Sequence, residues 1–472
     1  MTFWNRRKTL ESVAKRHTHS ALKPTLSWPH LIGLGVGAIV GTGIYTLTGV
    51  GAGLAGPGVI LSFVMAGIVC ACAALAYTEM ATMMPMAGSA YTYAYVALGE
   101  LLAWIVGWTL ILEYTVVCSA VAVGWSGYAV GVMQSAGWNI PDALLAGPSA
   151  GGLINLPAVA ISLAVAALLA VGTRESATVN LILVFVKLIA LTAFIALALP
   201  AFSSENFQPF APYGFGAAEV DGVKRGIAAA AAVIFFAFYG FDAVSTAAEE
   251  AHNPSRDLKI GIVGSMVLCT LLYMAVAAAA IGGADYRALA NSAEPLAMVL
   301  RNLEHPVAAT LIAGAAVIAL PTVIMAFMYG QSRVFFVMAR DGLLPQRLAA
   351  VHTRFGTPVA MTLITGVFVA AIAAFLPLQQ IAELANAGTL VAFIAVAVCM
   401  LKLRVEAPDH PRLFRVPWPW LVGVLGIVGC VYLFVSLPFA TIWRFFVWNA
   451  IGLLVYFMYA RHRSALGAPV RA

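Results

Sequence analysis

The sequence predicts an all-α integral membrane protein of twelve transmembrane helices, the first and the sixth broken near mid-membrane. Three observations predict it. Of 472 residues, 62% are hydrophobic and only 10% charged, whereas a soluble domain carries about 25% charged residues. Apolar windows long enough to cross a bilayer, about 20 residues each, recur along the whole chain. Two of them are interrupted midway, at Gly41-Thr42-Gly43 and at Phe238-Tyr239-Gly240-Phe241-Asp242.

Apolar windows bounded by polar or Gly/Pro punctuation fall near residues 30–54, 59–84, 99–133, 153–172, 178–200, 227–249, 259–283, 306–335, 359–377, 381–402, 419–438 and 443–460. The third is long enough to tilt or to protrude. No separate soluble domain fits the remaining length. Residues 1–29 are polar and basic, without an apolar core and small-residue cleavage site, so no cleaved signal peptide is expected. The six cysteines (70, 72, 118, 269, 399 and 430) all lie in apolar windows and read as small packing residues, with no metal-ligand spacing.

Lysine and arginine flanking the windows set the orientation. With the N-terminus inside, the cytoplasmic segments hold twenty basic residues and the outer segments five (Lys224, Arg225, Arg287, Arg301 and Arg444). This predicts a multi-pass protein of the cytoplasmic membrane with both termini, 1–29 and 461–472, cytoplasmic. It also accounts for the +6 net charge without a nucleic-acid partner. One basic residue, Lys187, fits neither side.

In the first window Gly33, Gly37 and Gly41 are four apart and make a smooth ridge for a neighbouring helix. The letters Gly33-x-Gly35-x-x-Ala38 mimic a dinucleotide fingerprint, but no strand precedes them, which removes that reading. The ridge does not explain Gly41-Thr42-Gly43. A break exposes N–H and C=O groups that lipid cannot satisfy, so it persists only where it lines a protein cavity. Breaks at corresponding positions of two halves point to a transporter's binding site. Freed amides at Thr42, Gly43 and Ile44 would start a half-helix and suit a carboxylate. Freed carbonyls near Phe236 to Tyr239 would accept from an ammonium group, with Phe235, Phe236 and Phe238 closing over it. Together they suit a zwitterion.

Lys187 and Glu113 are the mid-window charges. Lys187 lies about ten residues from either end of its window, about 15 Å along a helix, too far to snorkel. A central lysine costs roughly 2.5–3.5 kcal/mol on insertion scales, which suggests a function. It reads as a titrating ammonium held by backbone oxygens that couples proton movement, or as a permanently charged strut. Glu113 could recognise a cationic side chain, relay protons or brace the pocket. Asp242 adjoins the second break and reads chiefly as a cap for its second half. Glu249 and Glu250 read as solvent-facing or salt-bridged gate residues.

At these residues the chain resembles the amino acid–polyamine–organocation superfamily, specifically the cationic amino acid transporter family in its bacterial twelve-span form. The likeness rests on Gly41 through Tyr45, on Leu112-Glu113-Tyr114 and on Gly124 through Tyr128. It continues in Phe235 through Asp242, Asn253-Pro254, Tyr329-Gly330-Gln331, Arg340-Asp341-Gly342 and Asn386 through Leu390. The resemblance implies a LeuT-type fold of 5+5 inverted repeats (residues 30–200 and 227–402) followed by two helices at 419–460. It implies that Ile39, Gly41, Thr42, Gly43, Phe236, Ala237 and Tyr239 surround an amino acid. It also implies that Lys187 takes the place of a sodium ion, favouring proton-coupled symport, with no cofactor or metal beyond the proton. Membrane lipids surround such a protein, and a small membrane-protein partner is left open.

Three departures stand out. Tyr239 replaces a smaller aliphatic residue, Pro321 precedes Thr322 in the eighth window, and the chain ends after the twelfth. The family name leaves cationic and small neutral substrates both open. The competing readings are an amino acid or polyamine exchanger, an ion channel and a membrane-embedded enzyme. The channel lacks a filter repeat or charge ladder. The enzyme lacks a mid-membrane triad or metal cluster, because the eight histidines are expected outside the windows.

Overall fold

Glycine and proline decide where the apolar windows stop being helix. The computed structural model describes residues 6–9, 26–84, 88–138, 140–171, 177–246, 251–345 and 359–466. Its first window is three helices, α1 (Trp28–Ile39), the single turn α2 (Thr42–Tyr45) and α3 (Leu47–Ala55). Then come α4 (Val59–Met83), the short α5 (Ser89–Ala97), α6 (Glu100–Ser135), α7 (Leu156–Val171) and α8 (Ala177–Ala198). A small hairpin, β1 (Ala218–Val220) with β2 (Val223–Arg225), departs from the all-α expectation. Asp221 and Gly222 at its tip take φ of 53° and 73°, the left-handed pair that a two-residue hairpin turn needs.

The second half holds α9 (Ile227–Ile234), a 3₁₀ turn at Phe235–Phe238, α10 (Phe241–Thr246) and α11 (Pro254–Gly283). It continues with α12 (Tyr286–Ala290), α13 (Pro295–Asn302), α14 (Pro306–Arg340), α15 (Val359–Phe375), α16 (Leu378–Glu406), α17 (Pro419–Ser436) and α18 (Phe439–Val455). The expected gate residues Glu249 and Glu250, and most of the two terminal segments, lie outside the described residues. His30, expected outside the windows, sits in the first turn of α1, where it bonds the Ser27 hydroxyl at 2.8 Å.

Eight apolar stretches among the described residues are long enough to cross a membrane, and four shorter apolar helices accompany them. One of the eight, Leu47–Met83, is two segments rather than one. Gly56 takes φ +63° and Pro57 follows it. Along α9, Gly51 of α3 meets Ile234, while Gly58 at the turn meets Ile227. Beyond the turn, Ser62 still bonds the Ile227 carbonyl and Gly67 has moved up to Phe238. The chain therefore descends along α9 and climbs back.

Large apolar side chains face outward on α17 and α18, among them Trp420, Val435, Phe439 and Trp443, each at least 58% exposed. Such a belt suits lipid and not water. The six cysteines are buried and free. The end of the bundle carrying residues 6–9 and 461–466 is tied together by buried ion pairs. Arg6 reaches Glu100 at 3.2 Å, and Lys8 reaches Asp341 at 2.6 Å. Tyr95 and Tyr91 donate to the same two carboxylates, each at 2.8 Å.

Pro321 has a structural explanation. Inside α14 it lacks the amide that would bond the carbonyl four residues back, that of Val317. The Trp125 indole of α6 donates to that carbonyl instead, at 2.8 Å. Trp125→Phe should lower stability in detergent by about 0.6 to 1.7 kcal/mol, the range of interhelical hydrogen bonds in membrane proteins. In a Pro321→Ala background, where the helix supplies its own donor, the same change should cost less. Equal costs in the two backgrounds would disprove the pairing.

Candidate functional site

The first break is short and well defined. Val40 leaves the helix at ψ 95° and Gly41 is extended at φ −147°. The chain then makes one turn, with the Ile44 and Tyr45 amides both donating to the Gly41 carbonyl at 3.2 and 3.3 Å. This corrects the expectation of three free amides. That of Ile44 is consumed by the turn, and those of Thr42 and Gly43 have no partner among the described residues. The carbonyl freed at Ile39 accepts from the Tyr273 hydroxyl of α11 at 2.7 Å.

The second break is a tight 3₁₀ turn at Phe235–Phe238. It ends with Tyr239 extended at ψ 167° and Gly240 at φ +111°. Gly240 is doubly required, since a Cβ there would also strike the Ala38 carbonyl carbon at 2.7 Å. The Ala232 and Val233 carbonyls accept from the Asn386 amide nitrogen of α16 at 2.5 and 2.9 Å. Asn386 Oδ1 in turn accepts from the Tyr239 hydroxyl. The hydroxyl that sets Tyr239 apart is thus committed to Asn386.

Three residues per turn place i over i+3, which sorts the aromatic cluster. Phe236 and Tyr239 share one face, with ring centroids 5.0 Å apart, and line a cavity. Phe235 and Phe238 share the other. Phe235 packs on Phe393 at 5.7 Å, and Phe238 packs on Tyr273 at 5.4 Å. Of the three phenylalanines expected as a lid, Phe236 alone reaches the cavity.

The two breaks face each other. A Cβ built on Gly43 would fall on the Cα of Ala237, closer than side chains tolerate. Ala237 stands behind Gly43 and does not line the cavity. Ile39, Gly41, Thr42, Gly43, Phe236 and Tyr239 do, joined by Ala38, by Val117 and Val121 of α6, and by Val323 and Phe327 of α14. The enclosed space is about 10 Å³, room for about one water. The site is closed in this conformation. No lining residue is charged. The four contributed by α6 and α14 escaped the sequence reading, because helices apolar all round show no face.

The charged candidates sit outside this wall. Lys187 is fully buried on α8, with Nζ donating to the Gly37 carbonyl at 2.9 Å and to Thr322 Oγ1 at 3.2 Å. It joins α1, one turn before the break, to α14. Asp242 Oδ1 accepts from the Gly240 amide at 3.1 Å, and its Oδ2 accepts from Tyr114 at 3.3 Å. That is the geometry of a cap on the break. Glu113 is buried against Gly388 of α16, and its Oε2 has no hydrogen-bond partner among the described residues.

The family described as amino acid permease matches residues 26–459. The chain is similar to a branched-chain amino acid permease of Bacillus subtilis, 43% identical over 98% of each chain. It is similar to the methylthioribose transporter of the same species, 40% identical over 98% of each. The vacuolar cationic amino acid transporter 4 of Arabidopsis thaliana is 36% identical over 86% of this chain and 67% of its own.

Proposed function

This chain belongs to the amino acid permease family, and from that premise we propose that it is a proton-coupled symporter of a neutral, aliphatic amino acid, working by alternating access. It is a transporter, not an enzyme. The observation that carries the substrate class is the cavity wall. The Thr42 and Gly43 amides offer donors to a carboxylate. The rest of the wall is Ala38, Ile39, Gly41, Val117, Val121, Val323, Phe327, Phe236 and Tyr239, whose hydroxyl is given to Asn386, without a carboxylate to receive a cationic side chain. Burying an unpaired ammonium there is strongly unfavourable, whereas a branched aliphatic group is at home.

The facing breaks and the four short apolar helices beside the eight long ones support twelve spans, with inverted repeats at 30–200 and 227–402. The basic-residue asymmetry supports cytoplasmic termini. Lys187, bridging α1 and α14 beside the site, supports proton coupling.

A thermal-shift panel of all amino acids and methylthioribose at two pH values tests the substrate class. Leucine, isoleucine or valine at 100 times its Kd should stabilise the protein by about 2.7 kcal/mol, and lysine and arginine should not. A shift by arginine or lysine alone would overturn the neutral assignment. An exchanger is the alternative, favoured if uptake needs internal amino acid and ignores a protonophore.

A further inference from the structure

The loop between α16 and α17 gathers more positive charge than its carboxylates balance. Glu79, buried on α4, accepts from Arg404 Nε at 2.7 Å and Nη2 at 2.5 Å, and from the Val416 amide at 2.8 Å. Arg412 Nε forms an ion pair with the same carboxylate at 3.2 Å. The rest of the Arg412 guanidinium is spent on backbone. It donates to the Leu403 and Ala407 carbonyls at 2.8 and 2.9 Å, and to those of Pro408 and His410 at 3.1 Å. That satisfies the last carbonyls of α16, which have no helical partner. One carboxylate therefore serves two guanidiniums.

A third guanidinium stands beside them. Arg415 is exposed and has no hydrogen bond or ion pair among the described residues. Burial pulls the Arg412 guanidinium below its usual range, and Glu79 opposes this, while the charges of Arg404 and Arg415 add to the pull. The other carboxylates nearby do not relieve the surplus. Glu406 faces Arg7 at 3.6 Å and Lys402 at 3.5 Å, and Asp409, exposed in the loop, pairs with none of the three arginines.

Apolar side chains flank this charge. Leu413 is 60% and Trp418 77% exposed, and Trp420 and Leu421 carry the same outward surface onto α17. Trp418 holds φ +45°, which is uncommon for a bulky side chain. The loop lies at the end of the bundle that carries residues 6–9, because Arg7 reaches Glu406. An arginine set beside exposed tryptophan and leucine, at the rim of a lipid-facing helix, pairs a headgroup contact with an acyl-chain contact.

We propose that Arg415 binds the phosphodiester of an anionic phospholipid, with Leu413 and Trp418 against its acyl chains. The lipid supplies the counter-charge that Glu79 cannot, at the junction of α4, α16 and α17. Basic loops in general are drawn to an anionic leaflet. Arg415 is singled out because its neighbours are already paired and it is not.

The test is the unfolding temperature of the full chain in an uncharged detergent, titrated with dioleoylphosphatidylglycerol, dioleoylphosphatidylcholine or inorganic phosphate. Phosphatidylglycerol should raise it saturably, and the other two should not. In Arg415→Gln the lipid concentration giving half the rise should go up about fivefold, the scale of one basic residue at an anionic surface. Trp418→Ser should also raise it, by loss of the chain contact. Arg444→Gln, which removes an exposed arginine of α18, beyond the far end of α17, should match the wild type. No rise with phosphatidylglycerol overturns the site. An equal rise with phosphatidylcholine means that the loop meets bulk lipid only, and one with inorganic phosphate means a free-anion site; either overturns the proposal. So does a half-rise concentration in Arg415→Gln within twofold of the wild type's, whatever the stability of that variant without lipid.

Discussion

Lys187→Ala should abolish accumulation of amino acid against its gradient, while the protein still folds and still exchanges internal for external substrate. With one proton per substrate, each pH unit of gradient supports about a tenfold concentration ratio, and the variant should settle at a ratio near one. The reason is the position of the ammonium between Gly37 and Thr322. A charged donor bonds a carbonyl about twice as strongly as a neutral one. Gain or loss of the proton therefore changes how firmly α14 and α8 hold α1 one turn before its break. Accumulation at the wild-type level in Lys187→Ala vesicles would sink the assignment. Lys187→Arg separates the coupling group from a permanent strut, because a guanidinium does not release its proton in proteins. As a coupling group Lys187 is not replaced by arginine. If Lys187→Arg restores full pH-driven accumulation, the residue is a strut.

Gly43→Val should remove substrate binding, by about 100-fold or more, equivalent to roughly 2.8 kcal/mol. A Cβ at Gly43 has nowhere to go except into the backbone of Ala237. The two breaks must part to admit it, and their separation sets the distance between the donor patch and the rest of the cavity. Overpacking of this kind costs about 1–3 kcal/mol of stability, which a protein of this size should survive. Gly314→Val is the matched control, since a Cβ at Gly314 meets nothing within 4 Å. Binding of L-leucine by Gly43→Val at wild-type affinity would place the site elsewhere.

The two breaks were legible in the sequence because broken helices in apolar windows are rare and announce themselves. Gly41, Thr42 and Gly43 could be read from composition alone, and so could Gly240. The side chains completing the cavity could not. Val117, Val121, Val323 and Phe327 sit among equally apolar neighbours on long helices, and nothing in an all-apolar window says which face looks inward. Asn386 did carry a signal, a lone amide deep in an apolar window, where polar groups are expensive and seldom idle. Its task of binding the Ala232 and Val233 carbonyls and Tyr239 became visible only in three dimensions. The phenylalanine cluster, expected to close together over the substrate, is divided by the 3₁₀ turn, which sends Phe236 to the cavity and Phe235 and Phe238 into packing against Phe393 and Tyr273.

The chain by itself determined what depends on composition and spacing. It is a helical membrane protein, its first and sixth apolar windows break at glycines, and Lys187 cannot reach water from where it lies. Those properties follow from transfer energies and backbone sterics, which act residue by residue. Only the tertiary structure decided that Gly43 abuts Ala237, that Gly37 and Thr322 share the Lys187 ammonium, and that the closed cavity has an apolar wall. These are contacts between windows far apart in sequence. In a chain this apolar, hydrophobic burial cannot choose among helix faces, so small residues, freed carbonyls and a few polar side chains make the choice.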